Sequence, residues 1–137
     1  MSDEHIEALK RVPLFAGMSD RALRRVAAIS KEVTHRDGKA VLEEDKSAVG
    51  FHLILAGEAE ASHSGTVVST MSPGDYFGEI SLIDGKPRSA SVTAKGELHT
   101  LGIPAWNFNQ LLDENPEMMR ALLVALSARI RHLSDNR

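Results

Sequence analysis

The hydrophobic positions of this chain change period twice. Up to about residue 29 they fall at helical intervals. From there to residue 103 they come in short runs broken by turns, and beyond Pro104 the helical interval returns. In the first stretch, Asp3 to Arg11 reads as a short polar helix that Pro13 stops. Ser19 is a good N-cap for a second helix running to about Ile29. Met18 and Leu23 stand at the two positions of a hydrophobic staple, and Leu23, Val26 and Ala27 make one buried stripe.

Between Ser30 and His99 the turn signals recur, at Asp37-Gly38, Ala56-Gly57, Ser64-Gly65, Pro73-Gly74, Asp84-Gly85 and Lys95-Gly96. Short strands between regular turns predict a β-barrel or jelly roll, with strands near 31–36, 39–43, 50–56, 58–63, 66–71, 90–94 and 97–103. Pro104 opens a helix from Ala105 to about Asp113, and Pro116 takes the first position of a last one. In that last helix Met119, Leu122, Leu123, Leu126, Ile130 and Leu133 share one apolar face. Met119 to Leu126 are expected to pack on the barrel. Ile130 and Leu133 either close over a ligand or meet a second copy. The expected class is mainly β with flanking helices, α+β, and neither an internal repeat nor a low-complexity segment interrupts it.

Composition narrows the function more than the fold. A chain of 137 residues is expected to form one domain, large enough to bury a core without staples. The net charge of 16 minus 19, or -3, provides no general basic surface for nucleic acid. Without cysteine there is no disulfide framework, thiolate metal site or thiol nucleophile. The most apolar stretch, Ala121 to Leu126, is too short to span a bilayer, and Met1-Ser2-Asp3-Glu4-His5 does not resemble a basic secretory start. A cytoplasmic location is the expectation.

The candidate chemistry lies in Phe77 to Val92, Phe-Gly-Glu-Ile-Ser-Leu-Ile-Asp-Gly-Lys-Pro-Arg-Ser-Ala-Ser-Val. Gly78 lets backbone approach a ligand closely. The amides of Glu79, Ile80 and Ser81 are the unpaired donors of a helix just starting, a ready place for phosphate. The turn Asp84-Gly85-Lys86-Pro87 then delivers Arg88, a planar cationic fork suited to phosphate oxygens. Ser89 and Ala90 are small enough to turn their own amides towards the same anion. Glu79, acceptor-only when ionised, suits sugar hydroxyls. Each residue alone has a plainer reading: Arg88 as a surface arginine after a turn, Glu79 as a complement to a helix dipole.

Taken together, Phe77-Gly78-Glu79-Ile80-Ser81-Leu82 and Pro87-Arg88-Ser89-Ala90-Ser91-Val92 resemble the phosphate-binding cassette of the cyclic nucleotide-binding domain family. The similarity runs from about Leu14 to Leu133. It implies an eight-stranded β-roll with N-terminal helices and two C-terminal helices. It also implies a regulatory domain, not an enzyme, that binds cAMP and passes the event to a partner or attached effector through its C-terminal helix. Carried over by residue, Arg88 pairs with the exocyclic phosphate and Glu79 accepts from the ribose 2′-hydroxyl. Gly78, Ile80, Ser89 and Ala90 offer backbone or close contacts, and Phe77 and Ser81 complete the set. The family implies no cofactor beyond the nucleotide. Ser89 keeps cGMP open as an alternative, since a hydroxyl there reaches the guanine amino group in some relatives. The segment Ser47-Ala48-Val49-Gly50-Phe51-His52 departs from the family pattern, with His52 in place of a common tyrosine.

Two other readings compete. A cupin-type metal enzyme shares the jelly-roll pattern and a Pro73-Gly74-Asp75 turn, but His52 and His63 stand eleven residues apart and neither belongs to a His-x-His pair. Strand-surface or barrel-packing histidines describe them better. A DNA-binding regulator needs a recognition helix after the last one, and Arg120, Arg129, Arg131 and Arg137 read instead as a solvated face or a complement to the helix dipole. No motif of nucleophilic or metal catalysis is present.

Overall fold

A computed structural model describes residues 3–42, 50–84 and 90–135. Three helices open it, α1 (Asp3–Lys10), α2 (Pro13–Ala16) and α3 (Asp20–Ile29). Pro13 does not only stop α1. It begins α2, because a fixed φ and a missing N–H cost nothing in a first turn. Ser19 caps α3 as expected, its Oγ accepting from the Ala22 N–H at 3.1 Å.

The strands are β1 (Lys31–His35), β2 (Ala40–Leu42), β3 (Gly50–His63), β4 (Thr66–Met71), β5 (Tyr76–Phe77) and β6 (Ser91–Pro104), with α4 (Glu79–Asp84) between β5 and β6. All pair antiparallel. β3 and β6 pair with each other, β1 and β2 pair with β6, and β4 and β5 pair with β3. The strands expected at 50–56 and 58–63 are one continuous β3, and those at 90–94 and 97–103 are one continuous β6. Glycines bend the long strands where breaks were expected, Gly57 with φ +87° and Gly96 with φ +76°. The β3–β6 register slips on both sides of Ala56, beside the first bend. With each long strand counted as two arms, the described residues supply eight strand segments.

Two helices follow, α5 (Ala105–Glu114) and α6 (Pro116–Asp135), and α6 packs against α2 and α5. The core has two parts. Between sheet and helices, Phe51 stacks on Phe108 with centroids 4.8 Å apart and meets Tyr76 and Phe15 at 5.3 and 6.0 Å. A second cluster fills the roll with Leu42, Ile54, Ala59, Phe77, Val92, Ala94 and Leu98. The buried face of α6 starts one residue earlier than the sequence reading placed it. Met118 is 0% exposed and Leu122 is buried, whereas Met119 is 40% exposed and Leu123 points outward. Ile130 and Leu133 are exposed as well.

Gly57 and Gly65 both hold positive φ, but a Cβ on Gly57 would stand 2.2 Å from the Glu97 carbonyl oxygen, whereas Gly65 has open space around it. Gly65→Ala should therefore cost about 1 kcal/mol in chemical denaturation, the strain of a left-handed L-residue alone. Gly57→Ala should cost roughly 3 kcal/mol or more, because backbone must also move apart. Equal losses would show that β6 yields freely at the bend.

Candidate functional site

A cavity of about 150 Å³ opens where the roll interior meets α6. Its apolar wall comes from β2, β3, β4, β5 and β6 through Leu42, Ala61, Met71, Phe77 and Val92. Gly78, Glu79 and Ile80 close one side, and Ala90 another. Gly78 sits at φ +97°, a conformation in which a side chain would be strained, and turns the chain from β5 into α4. Glu79 is the first residue of α4 and is only 4% exposed although it carries a carboxylate.

A charge so placed needs a counter-charge. Arg129 of α6 provides one, its guanidinium 3.6 Å from a Glu79 carboxylate oxygen, and it lines the same cavity. With its side chain 52% exposed, Arg129 is partly screened by solvent, so the pair contributes modestly. Tyr76 belongs to the same group of charges. Burial first, and then the Glu79 carboxylate, push its phenol above the usual range, while Arg129 pulls the other way. The arrangement can accept hydrogen bonds from a ligand hydroxyl at Glu79 and cover a flat apolar ring. Among the described residues, no group of three His, Asp or Glu side chains is arranged to hold a metal ion.

The profile of the cyclic nucleotide-binding domain matches residues 32–115, more than half of the chain and all of the roll but its first residue, Lys31. The chain belongs to the cyclic nucleotide-binding domain family. It is 36% identical over 107 residues to a cAMP-dependent protein kinase regulatory subunit of Yarrowia lipolytica, a match that covers 76% of this chain and 28% of that protein. The chain thus spans under a third of the length of that relative. Among solved structures it resembles the regulatory domain of Toxoplasma gondii PKA with cAMP, at TM-score 0.82 and 25% identity, covering 92% of this chain and 49% of the other. Thermus thermophilus catabolite activator protein is similar in fold, at TM-score 0.80 and 23% identity over 90% of this chain and 61% of that one.

In this cyclic nucleotide-binding domain, five of the expected ligand residues surround one cavity: Phe77, Gly78, Glu79, Ile80 and Ala90. Ser81 follows in α4. Arg88 and Ser89 lie outside the described residues. Sequence reasoning missed Arg129, which it set on a solvated face. A signal was present: Arg129 falls eleven residues after Met118 and seven after Leu122, on the side of α6 that those two buried residues mark, although Arg129 and Ala125 are themselves exposed. His52 is half-buried in β3, and His63 is exposed at the tip of the β3–β4 hairpin.

Removing Arg129 should leave Glu79 buried beside fewer positive charges. Arg129→Met is expected to lower stability at pH 7 by about 1 kcal/mol, the value of a half-exposed pair. The loss should shrink in a Glu79→Gln background, where there is no charge to compensate. Thermal unfolding of the four proteins measures it, and additive losses would show that the two side chains are not coupled.

Proposed function

We propose that this chain is a cyclic nucleotide sensor, with cAMP as its preferred ligand and cGMP as the alternative that Ser89 leaves open. One observation carries the reading: a nearly sealed carboxylate, Glu79, faces an otherwise largely apolar cavity immediately after a left-handed glycine. A desolvated acceptor costs the fold several kcal/mol unless something donates to it or balances it. A ribose hydroxyl is a fitting donor. Arg88 takes the exocyclic phosphate, Gly78, Ile80, Ser89 and Ala90 line its surroundings, and Phe77 walls the sugar. Residues 1–137 act as one regulatory unit without catalysis of their own.

The ligand acts on α6 through the Glu79–Arg129 pair, since one carboxylate serves both the sugar and the helix. It can shift α6 only by binding one position better than another. An attached or separate effector reads the shift. The outward residues Met119, Leu123, Ile130 and Leu133 recur at intervals of four, seven and three, the spacing of a helix that pairs with a second copy of itself. A homodimer forms along that stripe. Exposed stretches of this size are at most a few hundred Å², less than the roughly 800 Å² per partner of a standard interface, so the dimer is weak. Sedimentation should show a concentration-dependent dimer that Leu123→Lys with Ile130→Lys abolishes. A monomer at all concentrations rules the dimer out.

Titration calorimetry with cAMP and cGMP tests the sensor. Binding of cAMP is expected, weakened at least tenfold in Arg88→Ala, because losing a charge-assisted phosphate contact costs about 2 kcal/mol. Absence of heat with both nucleotides, or unchanged affinity in the variant, overturns the reading.

A further inference from the structure

Inside the roll, three elements meet at one hydroxyl. Thr100 of β6 is fully buried, and its Oγ1 lies 3.0 Å from His35 Nε2 of β1 and 3.2 Å from His52 Nδ1 of β3. The two imidazoles approach edge to face, with centroids 6.0 Å apart. On its other side His52 stacks on Phe77, with centroids 5.2 Å apart and planes 19° from parallel, and the two residues are also register partners across β3 and β5. Phe77 walls the cavity and is followed directly by Gly78 and Glu79. His52 is therefore the backing of the first cassette residue.

A hydroxyl carries one proton. Thr100 can donate to one ring nitrogen while accepting from the N–H of the other, which suits two neutral histidines. When both nitrogens facing Thr100 carry protons, the hydroxyl must accept twice. Its own proton then has to find another acceptor at a position closed to bulk solvent. Taking up a proton thus breaks the geometry that seats His52 against Phe77. The charges facing the cluster push the same way. Lys39, in the turn after β1, and His99 of β6 both oppose a positive His35, and burial opposes it most, so that its pKa lies below the usual value. His99 is itself held by Glu97 at 2.8 Å and Thr34 at 3.2 Å. Among the described residues, β5 presents only the uncharged Phe77 to His52, and β6 presents Gly102, where a Cβ would rest on the His52 ring at 3.7 Å.

We propose that His52 is a positioning residue for the cassette and that the His35–Thr100–His52 cluster makes nucleotide binding proton-linked, strong when the cluster is neutral and weaker when it takes up a proton. The inference rests on the cyclic nucleotide reading above. It adds a regulator to that site, the proton, acting from behind Phe77 and not through the ligand, whose single phosphodiester charge does not change near neutrality.

The test is cAMP affinity by calorimetry at pH 7.5, 6.5 and 5.5 at constant ionic strength. The expected result is a several-fold fall, less than about tenfold, with most of it between pH 6.5 and 5.5, since one linked proton on a cluster lowered below the usual histidine value can do no more there. His52→Phe keeps a ring against Phe77 and should lose the slope. Thr100→Val, of similar shape, should flatten it. On the unaltered protein, histidine ring NMR signals should show the titration midpoint of the cluster moved to lower pH by cAMP, the reciprocal of the same linkage. A flat wild-type profile, a slope that survives in folded His52→Phe, or a midpoint that cAMP leaves in place overturns the proposal. Lack of binding even at pH 7.5 would instead remove the nucleotide reading itself.

Discussion

Every described strand depends on one antiparallel pair. β3 and β6 hydrogen-bond to each other along most of their length, and each of the other four strands pairs with one of them. A flat ladder of that length would expose one face to helices and the other to water. Bending it lets the same two strands back a helix layer at one end and enclose a roll at the other. The bend is possible because Gly57 takes a left-handed φ with the Glu97 carbonyl where a Cβ would stand. Phe51, Leu53, Leu101 and Ile103 then belong to the helix-side cluster, while Ile54, Ala59, Val92, Ala94 and Leu98 belong to the roll. Phe77 and Glu79, either side of Gly78, are brought to the mouth of that enclosure by β5, which among the described residues pairs with β3.

An interior built this way has little room for polarity, and its exceptions carry the functional argument. Among the described residues, the buried polar or charged side chains are Glu79 and Thr100. Both have partners: Arg129 for the carboxylate, His35 and His52 for the hydroxyl. No buried side-chain polar atom among the described residues lacks a hydrogen bond. Partnering of this kind contributes little net stability, while its loss is costly. Such groups are therefore poor choices for holding a fold together and good ones for making it respond. Both connect to the same cavity, Glu79 by lining it and Thr100 by contact through His52 with Phe77.

Local chemistry was readable in the sequence wherever it acts within a few residues. The Ser19 cap, the stripe of Leu23, Val26 and Ala27, and the turns at Gly38, Gly65 and Gly74 follow from spacing alone. The expected cassette residues Phe77, Gly78, Glu79, Ile80 and Ala90 could be grouped beforehand because they are close in sequence, and the structure sets these five around one cavity. What escaped depends on distance. Tyr76–Phe77 is too short to show alternation and becomes a strand only because β3 lies beside it. The face of α6 was read only in part: Leu122 is buried and Leu126 packs on the core as expected, but Met118 is buried in place of Met119 and Leu123 faces outward, since a periodic pattern cannot say which member of an adjacent apolar pair meets the core. Arg129 escaped for a related reason. A half-exposed arginine on α6 becomes intelligible only once a carboxylate fifty residues earlier is seen to face it.

The placement of Arg129 bears on why α6 should be the element that responds. Its first turns are held by Met118 and Leu122, each fully or nearly buried. Burying a side chain of this size contributes about 1.5–3 kcal/mol. Further along, the described attachment to the cavity is the pair between Arg129 and Glu79, half-exposed on the arginine side and 3.6 Å long. A contact of that kind contributes about 0.2–1 kcal/mol. Beyond it Ile130 and Leu133 face outward. The helix is thus fixed at its start and lightly tethered near its end, and its tether is the carboxylate proposed to receive the sugar. A ligand need supply only a small difference in free energy at Glu79 to move the far half of α6, while the near half stays anchored. The opposite arrangement, with the apolar anchor at the far end, would require the ligand to break a hydrophobic contact worth several times more.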